Sequence, residues 1–129
     1  MSAFAGVVWR HVPVGAVPLH LGKLFKYSEG RWNRRGEFAC LYTALTRVGA
    51  LAELAKARAT AGSLATDGDA AHEHCRRLSQ AARARGCTAL IVPSAAQPGE
   101  RNLVIYFDVV APKQVDVDDG PDRETIAFP

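Results

Sequence analysis

Runs of apolar and β-branched residues predict strands at four places in the chain, over residues 7–12, 38–45, 87–94 and 102–110. Between the first two, segment 13–30 is punctuated by proline and glycine. We therefore expect it to be mostly loop or broken helix. The tail after residue 110 holds one or two short strand candidates and an acidic patch, "DVDDGPD".

Two segments instead repeat their apolar residues at helical spacing. The first predicted helix covers about 47–60, with Thr46 as its N-cap, and the second covers about 70–85 and ends at Gly86. Glu53 lies at the border of the first apolar stripe, among mostly small neighbours. The order strand, loop, strand, helix, helix, strand, strand predicts a single α+β domain over 1–129, without regular βαβ units.

Composition and charge narrow the class of protein. The 129 residues are 48% hydrophobic and 22% charged, which is ordinary for a soluble globular domain. A net charge of +3 is small for a nucleic-acid binder. The charge is carried by twelve Arg and four Lys, and guanidinium groups bind phosphates in a bidentate manner.

Cysteine usage and the N-terminus predict a cytoplasmic protein. The three cysteines, an odd number without a CxxC pair, favour reduced thiols over a disulfide framework. The N-terminus lacks the basic and apolar regions of a signal peptide. No apolar run reaches the length that a membrane span needs, so no membrane association is expected.

Several apparent motifs do not support their usual chemistry. In "HEHC", His72 and His74 point about 200° apart on a helix, and Cys75 belongs to the apolar stripe. We therefore expect surface histidines there, without a metal. Ser94 is not in a GxSxG elbow, and Walker A, GxGxxG and HExxH motifs are absent from the sequence.

Four residues remain: Arg31 in "GRWN", Tyr42 on a predicted strand, Glu53 on the following helix, and Ser94 at the end of a buried strand. Each has an ordinary structural reading as well. Arg31 could be a solvated loop arginine, and Tyr42 a core tyrosine with its hydroxyl at the surface. Glu53 could form an ion pair with Lys56, and Ser94 could be a local backbone cap.

Together these residues carry a family resemblance. The segments "GRWNRRGEFACLYTALTRVGALAELAKAR" and "GCTALIVPSAAQPGERNLVIY" resemble the RES family, named for an Arg, a Glu and a Ser that match Arg31, Glu53 and Ser94. The opening "VVWRHVPVGAVPLHLG" is similar to the start of many RES domains.

The resemblance implies an ADP-ribosyltransferase-like fold, with a mixed or antiparallel sheet and a few helices. The chain looks shortened relative to typical RES domains, because only "ARATAGSLATDGDAAHEHC" lies between the glutamate helix and the last helix. Such a loss of strand material would leave an exposed sheet edge, which a partner chain could cover.

The resemblance also implies a function. Many RES proteins are bacterial toxins paired with an Xre-like helix-turn-helix antitoxin, and we expect a homodimer or a toxin–antitoxin hetero-oligomer. Family members degrade NAD⁺ at the nicotinamide–ribose bond, with water or inorganic phosphate as acceptor. NAD⁺ is then the substrate, with no further cofactor, and nucleic acid is contacted only through the antitoxin.

The residue chemistry fits this reaction. Cleavage builds positive charge on the ribose, which the carboxylate of Glu53 could stabilise. Arg31 would bind a phosphate, with Arg10 on the first strand as a second candidate. Tyr42 could stack on nicotinamide or hydrogen-bond a ribose. Ser94 would bond the substrate or orient Glu53, and Asn102 is a weaker contact candidate.

Two alternatives stay open. The same pocket could serve a protein mono-ADP-ribosyltransferase, which needs an acceptor protein. Alternatively, the chain could be a shortened, inactive RES module that binds a partner or an RNA through Arg76, Arg77 and Arg83 on the second helix.

Overall fold

The computed structural model describes residues 3–13, 15–16, 19, 21–60, 69–110 and 114–117. The described part of the chain contains the helices α1 (Leu21–Tyr27), α2 (Arg47–Thr60) and α3 (Asp69–Ala84) and the strands β1 (Cys40–Ala44), β2 (Ala89–Pro93) and β3 (Arg101–Tyr106). The α+β class predicted from the sequence is confirmed.

The three strands form one antiparallel sheet in the order β1-β3-β2, so the last strand in sequence lies in the middle. Ala44 in β1 pairs with Asn102, and Val92 in β2 pairs with the same Asn102 from the other side. The end of β1, the start of β3 and the end of β2 therefore meet at one end of the sheet.

The sheet has an apolar core on each face. One core contains Leu24 of α1 with Leu41, Leu103 and Ile105. The other contains Phe38, Cys40, Val92, Val104 and Tyr106, with Trp32, Tyr42 and Ala82 packed against it. The alternation of side chains along β1 explains this division, because Leu41 and Tyr42 point to opposite faces.

Helix α2 begins where the sequence predicts. Thr46 Oγ1 accepts a hydrogen bond from Gly49 N (3.0 Å), which makes Thr46 the N-cap. The same hydroxyl donates to Glu100 Oε2 at 2.7 Å. The first turn of α2 is thereby tied to the start of β3, and this contact helps to place Glu53 over one end of the sheet.

The predicted strand over 7–12 is wrong, apart from one residue. Trp9 forms an isolated bridge to Ala44, with backbone bonds of 2.8 Å in both directions. Arg10 therefore follows a single bridge and does not lie on a strand. Pro13, which lacks an N–H and restricts the residue before it, limits any extension of the pairing.

The segment expected to be mostly loop or broken helix contains the short helix α1, whose Leu24 is buried in the core. One other boundary differs from the prediction. The last strand ends at Tyr106, not at 110, because Val109 N and Val110 N both bond to Tyr106 O and form a turn. The strand candidates of the tail fall largely on 111–113 and 118–129, which lie outside the described residues.

Among the helices of the described residues, none is long and apolar enough to cross a membrane.

Candidate functional site

A cleft of about 370 Å³ opens at the end of the sheet where β1, β3 and β2 meet. Its walls come from segments far apart in the chain: the bridge at Trp9, the loop before β1, β1 itself, α2, α3 and the start of β3. The lining residues used below are Trp9, Arg10, His11, Gly30, Arg31, Trp32, Tyr42, Glu53, Lys56, His72 and Asn102.

Glu53 lies in this cleft, and two side chains hold its carboxylate. Ser94 Oγ donates to Glu53 Oε1 at 2.8 Å, and Asn102 Nδ2 donates to the same oxygen at 2.9 Å. Neither of these bonds uses Oε2. Two donors on one oxygen fix the rotation of the carboxylate while its charge remains in the cleft.

The direction of the Ser94 hydrogen bond follows from its other contacts. Ser94 Oγ accepts the backbone N–H groups of Ala96 at 3.1 Å and of Gln97 at 3.3 Å. A hydroxyl has two lone pairs and one proton, so that proton goes to Glu53. Ser94 lies behind Glu53, outside the cleft lining. Its geometry is that of a support for the carboxylate and not of a nucleophile.

The loop that carries Arg31 is held by a buried polar network. Tyr42 OH donates to Asn33 Oδ1 at 2.5 Å and accepts from Trp32 N at 3.2 Å. Asn33 is fully buried, and its Nδ2 donates to Ser28 O at 3.0 Å and to Phe38 O at 3.3 Å. Tyr42 and Asn33 thus shape the cleft wall on which Arg31 lies.

This arrangement requires a glycine at position 30, because the loop backbone there lies against the side chain of Tyr42. A Cβ added at Gly30 would come within 2.8 Å of Tyr42 OH and 2.9 Å of Tyr42 Cζ. Real Cβ atoms essentially never approach so closely. The glycine that precedes Arg31 therefore lets the loop lie directly against the tyrosine ring.

Helix α3 also contacts the loop that carries Arg31. Arg76 Nη2 donates to Gly30 O at 3.1 Å, and Arg34 forms an ion pair with Glu73. Arg77 also lies near Glu73, at 3.8 Å. Arg83 instead pairs with Asp108 through two bonds, of 3.0 and 2.7 Å. The arginines of α3 therefore serve separate intramolecular contacts.

The structure places most of the predicted site residues together. Arg31, Tyr42, Glu53, Arg10 and Asn102 all line the cleft. Arg10 Nη1 donates to Tyr42 O at 3.1 Å, which extends the contact between the Trp9 bridge and β1. The Tyr42 hydroxyl donates its proton to Asn33 Oδ1 and accepts a hydrogen bond from Trp32 N, so it has no proton left to donate to a ligand.

Sequence reasoning missed several cleft residues. Asn33 and Trp32 were visible in "GRWN", but no local pattern indicates that Asn33 is buried. His72, which we expected at the surface, is partly buried and lines the cleft. His11 and Lys56, on other segments, line it as well. Among the described residues, no group of three His, Cys, Asp or Glu is placed to hold a metal ion.

Burial shifts the pKa values of three titratable groups in the cleft, and it lowers that of Arg10. The pKa of His11 is lowered by desolvation and by the positive charge of Arg10, and Glu53 opposes this shift. The pKa of the Tyr42 hydroxyl is raised far above its usual range, mainly by burial. Near neutral pH, the tyrosine is therefore a neutral hydrogen-bonding group and cannot act as a phenolate base.

The fold and the cleft together define an α+β domain that presents an anchored carboxylate beside arginines and aromatic rings. The family model described as RES domain matches residues 55–128, more than half of the chain, and the chain belongs to this family. RES domains are linked to toxin–antitoxin systems. No curated protein matches the chain.

The range that the family model matches contains only some of the site residues. It contains Ser94 and Asn102 and begins two residues after Glu53. Arg31, Tyr42 and Glu53 lie upstream, so their likeness to the family rests on the motifs of the sequence. Their geometric convergence with Ser94 and Asn102 in one cleft is an independent observation.

Proposed function

We propose that this protein splits the nicotinamide–ribose bond of NAD⁺ and acts as the toxin of a toxin–antitoxin pair. The observation that carries the proposal is the carboxylate of Glu53, held by Ser94 and Asn102 in a cleft that also presents Arg31 and Arg10. This is the set of groups that a cationic ring, a ribose and a pyrophosphate need.

The reaction would proceed with charge developing beside Glu53. As the C–N bond breaks, its electron pair leaves with nicotinamide, which becomes neutral, and the ribose carbon gains oxocarbenium character. A fixed carboxylate close to that carbon stabilises the transition state. Water then adds to the carbon and loses a proton, giving ADP-ribose, or phosphate adds and gives a phosphorylated ADP-ribose.

Binding would use two kinds of group that line the cleft. Arg31 and Arg10 supply guanidinium groups for the pyrophosphate, and the rings of Trp9, Trp32 and Tyr42 supply apolar surface for flat rings. A volume of about 370 Å³ is at the lower end of the range of small-molecule sites. It suits the nicotinamide-riboside end of NAD⁺ better than the whole dinucleotide.

The toxin role is supported by membership of the RES domain family. In this role an Xre-like helix-turn-helix protein would act as the antitoxin. Production of the chain in a bacterial host would lower cellular NAD⁺ and stop growth, and co-production of its antitoxin would restore both. A chain that leaves NAD⁺ and growth unchanged without the antitoxin would contradict this role.

The enzymatic proposal is tested with purified protein and NAD⁺, with and without inorganic phosphate, by following nicotinamide release. Glu53→Gln keeps the shape of the side chain and removes its charge, so release should fall by at least 100-fold, as for loss of one preorganised electrostatic contact. Glu37→Gln is the matched control, since Glu37 is exposed and outside the cleft. Equal release by the wild type and Glu53→Gln would reject the proposal.

The acceptor is identified from the products in the same assay. NAD⁺ labelled on adenine gives label in ADP-ribose if water is the acceptor, and in a phosphorylated product if phosphate is. Label on protein after incubation with a bacterial lysate would instead assign the chain to the protein ADP-ribosyltransferases.

A further inference from the structure

Asn102 lies in the central strand, at the end of the sheet that borders the cleft. It is the second residue of β3 and pairs with Ala44 on one side and with Val92 on the other. Its side chain shares a face of the sheet with Tyr42 and Val104, toward α2. From there its Nδ2 reaches Glu53 Oε1 at 2.9 Å.

The orientation of the Asn102 amide is fixed by this contact. Turning the amide over would place its oxygen against the carboxylate oxygen of Glu53, and two acceptors cannot form a hydrogen bond. In the orientation that bonds Glu53, Asn102 Oδ1 is buried without a hydrogen-bond partner among the described residues. A buried amide oxygen in this state is unfavourable for stability, which points to a functional reason for the residue.

Asn102 and Ser94 act from a single hairpin. Ser94 follows β2, and Asn102 is the second residue of β3. Ser94 N donates a hydrogen bond to Glu100 O at 2.9 Å across the turn between them. The hairpin therefore presents two donors at a fixed separation to a carboxylate that comes from α2. Asn102 is neutral, so it orients the carboxylate without compensating its charge, as an arginine or a lysine would.

We propose that Asn102 is a positioning residue that holds the carboxylate of Glu53 in its reactive orientation, and is not primarily a contact for substrate. The proposal rests on the proposed NAD⁺ cleavage. It assigns to Asn102 a role different from the substrate contact that sequence reasoning suggests, and it makes the β2–β3 hairpin the element that orients Glu53.

The first test is Asn102→Asp, which keeps the size of the side chain and replaces the donor with an acceptor. We expect kcat for NAD⁺ cleavage to fall on the order of 100-fold, as for a misplaced reacting group, with KM within about threefold. The acid limb of the pH–activity curve should move upward, because two carboxylates that share a site resist joint ionisation.

Gln97→Glu is the matched control. It makes the same amide-to-acid change in the turn before Asn102, at an exposed side chain outside the cleft. It should leave kcat and the pH curve unchanged. A rise in KM at unchanged kcat in Asn102→Asp would make Asn102 a substrate contact and overturn the proposal.

The second test exchanges the two groups in the double variant Glu53→Gln/Asn102→Asp. The hydrogen bond can then form with its donor and acceptor reversed. The free energy of unfolding should recover relative to Asn102→Asp alone, whereas NAD⁺ cleavage should not recover. A double variant no more stable than Asn102→Asp would show that the two side chains are not coupled, and would also overturn the proposal.

The two proposals fail in distinguishable ways. If the wild type releases no nicotinamide, the proposed function is rejected, and the contact is judged by the unfolding experiment alone. If the wild type releases nicotinamide and Asn102→Asp behaves like Gln97→Glu, only the positioning role is rejected.

Discussion

The hydroxyl of Tyr42 donates a 2.5 Å hydrogen bond to Oδ1 of Asn33, and this contact joins β1 to the loop that carries Arg31. Both partners have few alternatives, since Asn33 is fully buried and its amide nitrogen is engaged by backbone carbonyls. The shape of the cleft wall therefore depends on a tyrosine hydroxyl that does not itself need to touch a ligand.

Removing that hydroxyl should destabilise the protein. Tyr42→Phe leaves Asn33 Oδ1 and Trp32 N without their shared partner, so the free energy of unfolding should fall by about 1–3 kcal/mol. Urea unfolding at neutral pH measures this change. Arg35→Ala, at an exposed loop position, should change stability by no more than about 0.5 kcal/mol. Equal stability of Tyr42→Phe and wild type would mean that the network is not formed in solution.

A methyl group at Gly30 should disrupt the cleft. Gly30→Ala places a carbon within 2.9 Å of the Tyr42 ring, so either the ring or the Arg31 loop must move. We expect NAD⁺ cleavage to fall at least tenfold. In the control Gly6→Ala, the new carbon meets only the side chain of Phe4 at 3.5 Å, and activity should be unchanged. Similar activity of the two variants would contradict the close approach of loop and ring.

Arg31 should matter more than its neighbours. Arg31 lines the cleft, whereas Arg34 pairs with Glu73 of α3 and Arg35 lies 3.8 Å from Glu29. Loss of a charge-assisted hydrogen bond to phosphate weakens binding by about 10–100-fold. KM for NAD⁺ should therefore rise by that factor in Arg31→Ala. Arg34→Ala and Arg35→Ala should stay within about threefold of the wild type. Full NAD⁺ turnover by Arg31→Ala would show that Arg31 is not part of the site.

The buried thiol of Cys40 should contribute to unfolding at alkaline pH. Burial raises the pKa of Cys40 from 9.0 to about 12. The folded state therefore keeps the thiol protonated where the unfolded chain ionises, and its contribution is complete below pH 9 and lost between pH 9 and 12. Over that window the slope is at most about 1.4 kcal/mol per pH unit.

Thermal unfolding of the wild type and Cys40→Ala between pH 8 and 11 measures the Cys40 contribution as a difference in slope. The wild type should lose stability more steeply than the variant. Tyr42 and Tyr106 also have raised pKa values, and the charge of Cys40 contributes to both shifts. The difference in slope therefore measures the thiol together with its coupling to these two tyrosines. Parallel curves would contradict the shift.

Local pattern was sufficient for much of the fold. The periodicity of α2 and α3, the capping role of Thr46 and the apolar runs of β1–β3 follow from neighbouring residues, and the structure confirms them within a few positions. The errors also have local causes. The apolar run 7–12 has a strand-like composition but pairs only at Trp9, and the prolines and glycines around α1 left the bounds of that helix undefined.

The site was predictable only in part, because its contacts join distant segments. The resemblance named Arg31, Glu53 and Ser94, but no spacing rule indicates that Ser94 bonds Glu53 across 41 positions, or that Asn102 joins them. The periodicity of α3 correctly separated His72 from His74. It could not show that His72 lines a cleft, because the opposite wall comes from other elements.

The position of β3 between its two partners also sets an order of events during synthesis. Both outer strands are made earlier, and among the described strands each of them pairs only with β3. Asn102 of β3 then completes the support of Glu53. A nascent chain that ends before residue 101 therefore has neither a sheet nor an oriented carboxylate. If the chain cleaves NAD⁺ as proposed, its activity would be withheld until the central strand has left the ribosome.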